Sequence, residues 1–143
     1  MPGGGDPFAL QRFVDAQQPV YAQVCAELAR GAKATHWMWF VFPQRIELGR
    51  SATARRFGIG SLAEARAYAG HALLGRRLRE CTQRVLDVQG SSLEQIFGGI
   101  DALKFRSSMT LFEQAVPEDP LFTRALRQAC GGERDPATLA LPA

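Results

Sequence analysis

Two short segments of the chain hold the residues best suited to chemistry. The first, Thr35–Gln44, reads THWMWFVFPQ and contains both tryptophans beside one of only two histidines. Large aromatic side chains most often pack in a core. Alternatively, they form a flat wall for a nucleobase or a sugar. In that second interpretation Trp37 and Trp39 contact the ligand, and His36 or Gln44 supplies a polar contact.

The second segment, residues 101–112, reads DALKFRSSMTLF. The pattern predicts a helix with Asp101 as its N-cap, and Lys104 then lies in the first turn, where the helix dipole disfavours a cation. Local conflicts of this kind are expected at functional sites. Lys104, Arg106 and the free backbone N–H groups of the helix start could clamp a phosphate or a carboxylate. Alternatively, Asp101 only neutralises Lys104 on the same turn.

Together the two segments predict one site. Its acid–base candidates are His36 and Asp101, and its predicted ligand-binding residues are Trp37, Trp39, Gln44, Lys104, Arg106, Ser107 and Ser108. We predict no metal and no other cofactor, because two histidines and three scattered cysteines give no zinc-ligand spacing. Cys81 and His71 are not predicted to act as nucleophile and base. Cys81 falls on the apolar stripe of its helix, which is typical of a packed, protonated thiol.

The elements that must position these segments are helices. Three Asp-Pro pairs each place an N-cap before a proline at the first helical position, and residues 61–64 form a capping box. The segment His36–Phe42 is apolar on all sides, and no second strand is available to pair with it. It is therefore predicted to be a buried helical segment that ends before Pro43. Helices are predicted over residues 6–17, 19–30, 51–57, 61–70, 73–88, 101–116 and 120–130, with short turns at 92–95 and after 135.

These signals predict an all-α fold: a single compact multihelical domain of about seven to eight helices. The domain covers residues 6–143 and follows a short disordered lead, residues 1–5. A length of 143 residues suits one domain. The longest apolar run, Trp37–Phe42, is far below the ~20 residues needed to cross a bilayer, and the N-terminus lacks a secretory signal. An odd number of unpaired cysteines is typical of the reducing cytoplasm, so we expect a cytoplasmic protein without membrane contact.

The positive charge is concentrated in the middle of the chain. The net charge is +3, and between Arg45 and Arg84 nine arginines stand against three glutamates. Such a stretch can face a ligand pocket, a partner protein or only water. Nucleic acid is not the predicted partner, because no basic stripe alternates with aromatic residues as single-strand binding requires. The oligomeric state stays open.

The motifs resemble the family called domain of unknown function 1810, whose members often carry the label calpastatin. The matching stretches are DPFALQRFVDAQ at residues 6–17, HWMWFVFPQ at 36–44, ELGRS at 47–51, SLAEARAY at 61–68, LGRRLRECT at 74–82 and KFRSSMTLF at 104–112. The resemblance implies an all-helical single domain and brings no assigned activity. A shorter likeness, at Lys104-Phe105, is to the helical domains that process ADP-ribose and related N-glycosides.

Two hypotheses of function follow. In the first, a pocket of the protein binds a nucleotide-like or otherwise phosphorylated small molecule, either without reaction or with hydrolysis of its glycosidic bond. Trp37 or Trp39 would stack on the base, and Lys104 with Arg106 would hold the phosphate, while His36 or Asp101 would act as the acid–base group. In the second, the protein is a non-catalytic interaction module whose motifs specify a packed core. A structure that places Lys104 and the tryptophans on opposite sides of the domain would exclude the first hypothesis.

Overall fold

The computed structural model describes residues 5–143, and regular structure in this range is helical. The helices are α1 Gln11–Gln17, α2 Tyr21–Ala29, α3 Met38–Val41, α4 Ala52–Arg56, α5 Leu62–Gly70, α6 Ala72–Asp87, α7 Leu93–Phe97, α8 Gly99–Ala115, α9 Pro120–Ala129 and α10 Pro136–Leu139. A 3₁₀ turn spans Ile46–Leu48, and one isolated parallel bridge joins Arg45 to Ile59. No helix among the described residues is long and apolar enough to cross a membrane.

The predicted all-α class is confirmed, and the predicted number of helices is too low. Residues 5–143 hold ten α-helices instead of seven to eight. The difference comes from α3, α7 and α10, which have only four or five residues each. Of the predicted disordered lead, residues 1–4 lie outside the described residues.

Local capping rules place most helix starts where they were predicted. The Ser61 hydroxyl accepts the backbone N–H of Glu64 at 3.1 Å, and Ser92 forms a full capping box with Gln95. Asp119 and Asp135 cap helices that have proline in the first turn. The same prediction for Asp6 and Pro7 is wrong, because α1 begins only at Gln11 and the Asp6 carboxylate instead accepts the N–H groups of Leu10 and Gln11. These side chains satisfy backbone N–H groups that have no partner inside their own helix.

The prediction that Asp101 caps the long helix is wrong. Gly98 ends α7 and caps α8, with φ of 82°, a left-handed conformation that glycine adopts without strain. Asp101 therefore lies in the first turn, where the helix dipole favours a carboxylate. Lys104 lies in the second turn, so the expected conflict between its charge and the dipole is weaker.

The core is built around α8, which packs against α5, α7, α9 and α10. Its buried side carries Phe105, Met109 and Phe112, all fully buried. Phe105 contacts Phe42 of the chain after α3, with ring centroids 5.0 Å apart. The central helix thereby positions the segment that contains both tryptophans.

The tryptophan segment is helical for one turn only. The helix α3 covers Met38–Val41, shorter than the predicted His36–Phe42. Phe42 leaves helical geometry at φ −124° and ψ 72°, as expected for a residue that precedes Pro43. Burial of Met38, Val41 and Phe42 holds this turn in the core in place of a longer helix.

Arginines of the basic middle stretch hold the fold together. Arg79 donates to Asp119 at 2.8 Å, and Arg66 donates to Glu118 at 2.7 Å. Arg45, almost fully buried, donates to the carbonyl oxygen of Pro142 at 2.9 Å. Part of the positive charge found in the sequence is therefore paired with carboxylates or bonded to the backbone of the protein itself.

A buried carboxylate, Glu27 of α2, organises the loop before α3. Glu27 has no exposed surface and accepts five hydrogen bonds. The donors are the Gln23 amide at 2.9 Å, the backbone N–H of Ala34 at 2.7 Å, the backbone N–H and hydroxyl of Thr35 at 3.0 and 2.6 Å, and the Trp37 indole at 2.9 Å. Charge-assisted hydrogen bonds offset the cost of burying this charge.

We predict that Glu27→Gln lowers the free energy of unfolding by about 3 kcal/mol, since the amide replaces an acceptor with a donor that faces other donors. Urea denaturation measures this change. The matched control is Glu133→Gln, an exposed site, where a loss below about 0.5 kcal/mol is expected. Equal stability of the two variants would contradict the role assigned to Glu27.

The stability difference between the wild type and Glu27→Gln is predicted to depend on pH. Burial by itself raises the pKa of Glu27, but the hydrogen bonds from Thr35, Ala34 and Gln23 outweigh it and hold the pKa well below its usual range. A carboxylate whose pKa in the folded state lies below its unfolded value, about 4.3, stabilises the folded protein above that pH. This stabilisation is lost as the pH falls. The stability difference between the wild type and Glu27→Gln should therefore narrow below about pH 4.3.

Candidate functional site

Both lysines and both tryptophans of the chain meet around Asp101. Lys33 Nζ lies 3.0 Å from Asp101 Oδ2, and Lys104 Nζ lies 3.9 Å from Asp101 Oδ1. Lys33 Nζ is also 5.1 Å from the ring centroid of Trp37, and Lys104 Nζ is 5.3 Å from that of Trp39. These distances allow cation–π attraction. We call Lys33, Trp37, Trp39, Asp101 and Lys104 the Lys–Trp cluster.

Three elements position the cluster. Glu27 of α2 holds the loop at Ala34 and Thr35, while the backbone N–H of Lys33 donates to the carbonyl oxygen of Ile96 in α7 at 2.8 Å. The first two turns of α8 supply Asp101 and Lys104. The cluster thus depends on contacts between segments about 70 residues apart in sequence.

The two lysines differ in how firmly they are held. The Lys33 side chain is 9% exposed, and its ammonium group donates to the carbonyl oxygen of Thr35 at 2.6 Å as well as pairing with Asp101. The Lys104 side chain is 26% exposed, and its only ion pair within the described residues is the long one to Asp101. The two ammonium groups and one carboxylate leave a net charge of +1. Lys104 is therefore the cation of the cluster that an anion can approach.

The two tryptophans also differ. Trp37 is 1% exposed, donates its indole N–H to Glu27 and packs against Phe42 and Phe97. It is a core residue, which matches the structural alternative drawn from the sequence. Trp39 packs against the core but keeps part of its surface exposed. Of the two predicted stacking residues, Trp39 is the one that a ligand can reach.

The structure does not bring Arg106 to Lys104. Residues two apart on a helix face different sides, and Arg106 lies beside Cys130, directly after α9. This geometry gives no support to the predicted Lys104–Arg106 phosphate clamp. Ser107 donates to Asp135 at 2.9 Å and ties α10 to α8.

Ser108 lies one turn after Lys104 on the same side of α8. It is fully buried, and its hydroxyl has no hydrogen-bond partner among the described residues. Buried hydroxyl groups normally have a hydrogen-bond partner, so core packing alone does not explain a serine at position 108.

His36 and Gln44 lie at the two ends of the tryptophan segment. His36 is exposed, directly before Trp37. Gln44 is partly buried, and its backbone carbonyl accepts the N–H of Ile59 at 2.9 Å. No hydrogen bond joins either side chain to the Lys–Trp cluster within residues 5–143.

Sequence reasoning missed Lys33 and Glu27. The signal for Lys33 was its rarity, because an arginine-rich chain has only two lysines and Lys33 lies just before the tryptophan segment. Glu27 gave no such signal, since a glutamate on an amphipathic helix is usually solvated.

The predicted packing of Cys81 in the core is confirmed. Cys81 has no exposed surface, and burial raises the pKa of its thiol to about 12. His71 does not contact it, because the His71 ring caps α6 by accepting the N–H groups of Leu73 and Leu74, each at 3.2 Å. Among the described residues no three His, Cys, Asp or Glu side chains could hold a metal ion together.

Three surface grooves lie away from the Lys–Trp cluster. A groove of about 690 Å³ runs between α6 and α9, and grooves of about 300 and 230 Å³ lie near the end of α6. None of these three is lined by a residue of the cluster.

The model of the family described as protein of unknown function (DUF1810) matches residues 7–141. The chain belongs to the DUF1810 family. A crystal structure of the conserved hypothetical protein Rv1873 from Mycobacterium tuberculosis is similar, with 55% sequence identity and a TM-score of 0.93 over 94% of this chain and 96% of that chain. No curated protein matches the chain. The family resemblance read from the motifs is thereby confirmed, and DUF1810 membership assigns no activity.

We predict that iodide quenches the fluorescence of Trp39 more strongly than caesium does, because the net +1 charge of the cluster attracts the anion. Quenching measured on Trp37→Phe isolates the Trp39 signal. Lys104→Gln in that background should reduce the preference for iodide, whereas Arg50→Gln, which removes an exposed charge elsewhere, should not. Equal quenching by both ions would show that no positive potential acts at Trp39.

Proposed function

We propose that this DUF1810 protein binds a nucleotide-like or otherwise phosphorylated small molecule at Lys104 and Trp39, in the cytoplasm. The observation that carries the proposal is the position of the Lys104 ammonium group, 5.3 Å from the Trp39 ring centroid and only weakly paired with Asp101. A cation beside a partly exposed aromatic ring suits a ligand with one anionic end and one planar end.

The start of α8 supports an anion at the same place. The first backbone N–H groups of a helix lack acceptors inside the helix and attract negative charge. In α8 these groups belong to Gly99, Ile100 and Asp101, next to Gly98 and in an exposed part of the chain. Glycine at positions 98 and 99 leaves room for a phosphate to approach the backbone. Asp101 opposes an anion but is held by Lys33, so the local balance stays positive.

Hydrolysis of a glycosidic bond is the reaction proposed for such a ligand. His36 is the preferred acid–base candidate, since it is exposed beside the tryptophan segment. Asp101 suits proton transfer less well, because its two carboxylate oxygens already face the ammonium groups of Lys33 and Lys104. In this proposal Asp101 orients the two lysines. Water attacks the anomeric carbon as the glycosidic bond breaks, and His36 is the acid–base group that transfers a proton between the water, itself and the leaving group.

A second candidate function is a non-catalytic protein-interaction module. The observation that favours it is the exposure of two large aliphatic side chains on α8, Ile100 at 73% and Leu103 at 60%. They are three residues apart and therefore lie on one face of the helix, beside Lys104. Exposed apolar residues next to a charged group are typical of protein contact surfaces.

Isothermal titration calorimetry with ADP, ADP-ribose and NAD tests the proposal. We predict saturable binding to the wild type and at least tenfold weaker binding to Lys104→Gln and to Trp39→Ala, about 1.4 kcal/mol each. Arg50→Gln, with the same change of charge at an exposed site outside the Lys–Trp cluster, should bind within about twofold of the wild type. Chromatography of the incubated ligand then reports turnover, which His36→Ala should abolish while binding remains.

Two results would contradict the proposal. Binding that Lys104→Gln and Arg50→Gln weaken equally would reflect net charge alone. No binding of any of the three ligands would favour the interaction module, and that function should then depend on Ile100 and Leu103 and not on His36.

A further inference from the structure

The groove between α6 and α9 is separate from the Lys–Trp cluster. Its volume of about 690 Å³ falls within the range of small-molecule sites, roughly 300–1,000 Å³. One wall is formed by α6 residues from Arg79 to Asp87, and the other by Asp119 and the first turns of α9 up to Arg124. Pro120 and Leu121 add an apolar surface between the charged groups.

Some of the charged groups that line the groove are bonded to other groups of the protein. Arg79 donates to Asp119 at 2.8 Å and to the carbonyl oxygen of Ala69 at 2.7 Å. Glu80 accepts the Tyr21 hydroxyl at 2.8 Å. These groups form the walls, and their charges are already balanced or bonded.

The remaining charges form no ion pair within residues 5–143. In that range Arg124 donates to the Gln83 side-chain oxygen, at 2.6 Å, and the Gln83 amide donates to Asp87 at 2.8 Å. Arg84 is exposed and lines the same groove. In the described part of the chain, no carboxylate lies within 4.0 Å of Arg84 or Arg124, and no cation lies within 4.0 Å of Asp87.

We propose that the groove between α6 and α9 binds a small hydroxylated phosphate. Arg84 and Arg124 hold the phosphate, and Asp87 accepts a hydrogen bond from a hydroxyl group of the ligand. Guanidinium groups bind phosphate oxygens through paired hydrogen bonds. A phosphate monoester carries a charge of about −1.5 to −2 at neutral pH. It therefore matches two guanidinium charges better than a ligand with a single carboxylate does.

Asp87 sets the second requirement on the ligand. A bare phosphate next to this carboxylate is repelled, whereas a hydroxyl group can donate to it. The Gln83 amide links Asp87 to Arg124, so the Asp87 carboxylate and the Arg124 guanidinium group are held in a fixed arrangement. The site therefore favours a phosphate that also carries hydroxyl groups over inorganic phosphate.

Calorimetry with glucose 6-phosphate on the full-length protein tests this site. We expect saturable binding of glucose 6-phosphate, weaker binding of inorganic phosphate and none of glucose. Arg84→Gln and Arg124→Gln should each weaken glucose 6-phosphate binding at least tenfold. The matched control, Arg127→Gln, removes an exposed charge from the same helix outside the groove and should change the affinity less than twofold.

A further variant separates the two parts of the proposal. Asp87→Asn should weaken glucose 6-phosphate binding but not that of inorganic phosphate. Absence of saturable binding, or equal losses in Arg124→Gln and Arg127→Gln, would overturn the site. Loss of glucose 6-phosphate binding in Lys104→Gln would assign that binding to the Lys–Trp cluster instead. Should Arg124→Gln not fold, as judged from its thermal unfolding, Arg84→Gln decides the question, since its side chain is exposed.

Discussion

The arrangement of the Lys–Trp cluster depends on one buried carboxylate. Glu27 accepts hydrogen bonds from the loop at Ala34 and Thr35 and from the indole of Trp37, with no cation in direct contact among the described residues. A buried carboxylate tolerates few alternative arrangements of its donors, because each missing hydrogen bond leaves charge uncompensated. This requirement gives the loop one conformation. Lys33 is thereby placed over Trp37 and against Asp101.

The central helix α8 serves the core and the surface at the same time. Phe105, Met109 and Phe112 bury one side of it, and Lys104 is presented on another. Gly98 sets where the helix begins, because the sharp junction with α7 needs a positive φ. The start of α8 in turn places Asp101 between the two lysines. The core packing and the proposed binding surface therefore share the same helix, which is why most motif residues also have a structural role.

Local rules were sufficient for most of the fold. Serine and aspartate caps such as Ser61 and Asp119 act within three residues, so their signals are readable from the sequence. The same rules failed at Asp101, because the backbone conformation of Gly98 decided the helix start. They also could not reveal the pairing of Lys33 with Asp101, since that contact joins distant parts of the chain. The helix geometry gives no support to the predicted partnership of Lys104 with Arg106, because residues two apart on a helix diverge.

The central claim is that a ligand binds at Trp39 and Lys104, and the two indole N–H signals of the protein test it most directly. In a ¹H–¹⁵N spectrum Trp37 and Trp39 each give one such signal, which Trp39→Phe assigns. On titration with ADP the Trp39 signal should shift until saturation, while the Trp37 signal, buried and bonded to Glu27, should stay nearly constant. Saturable shifts confined to backbone signals of α6 and α9, with both indole signals unchanged, would contradict the claim.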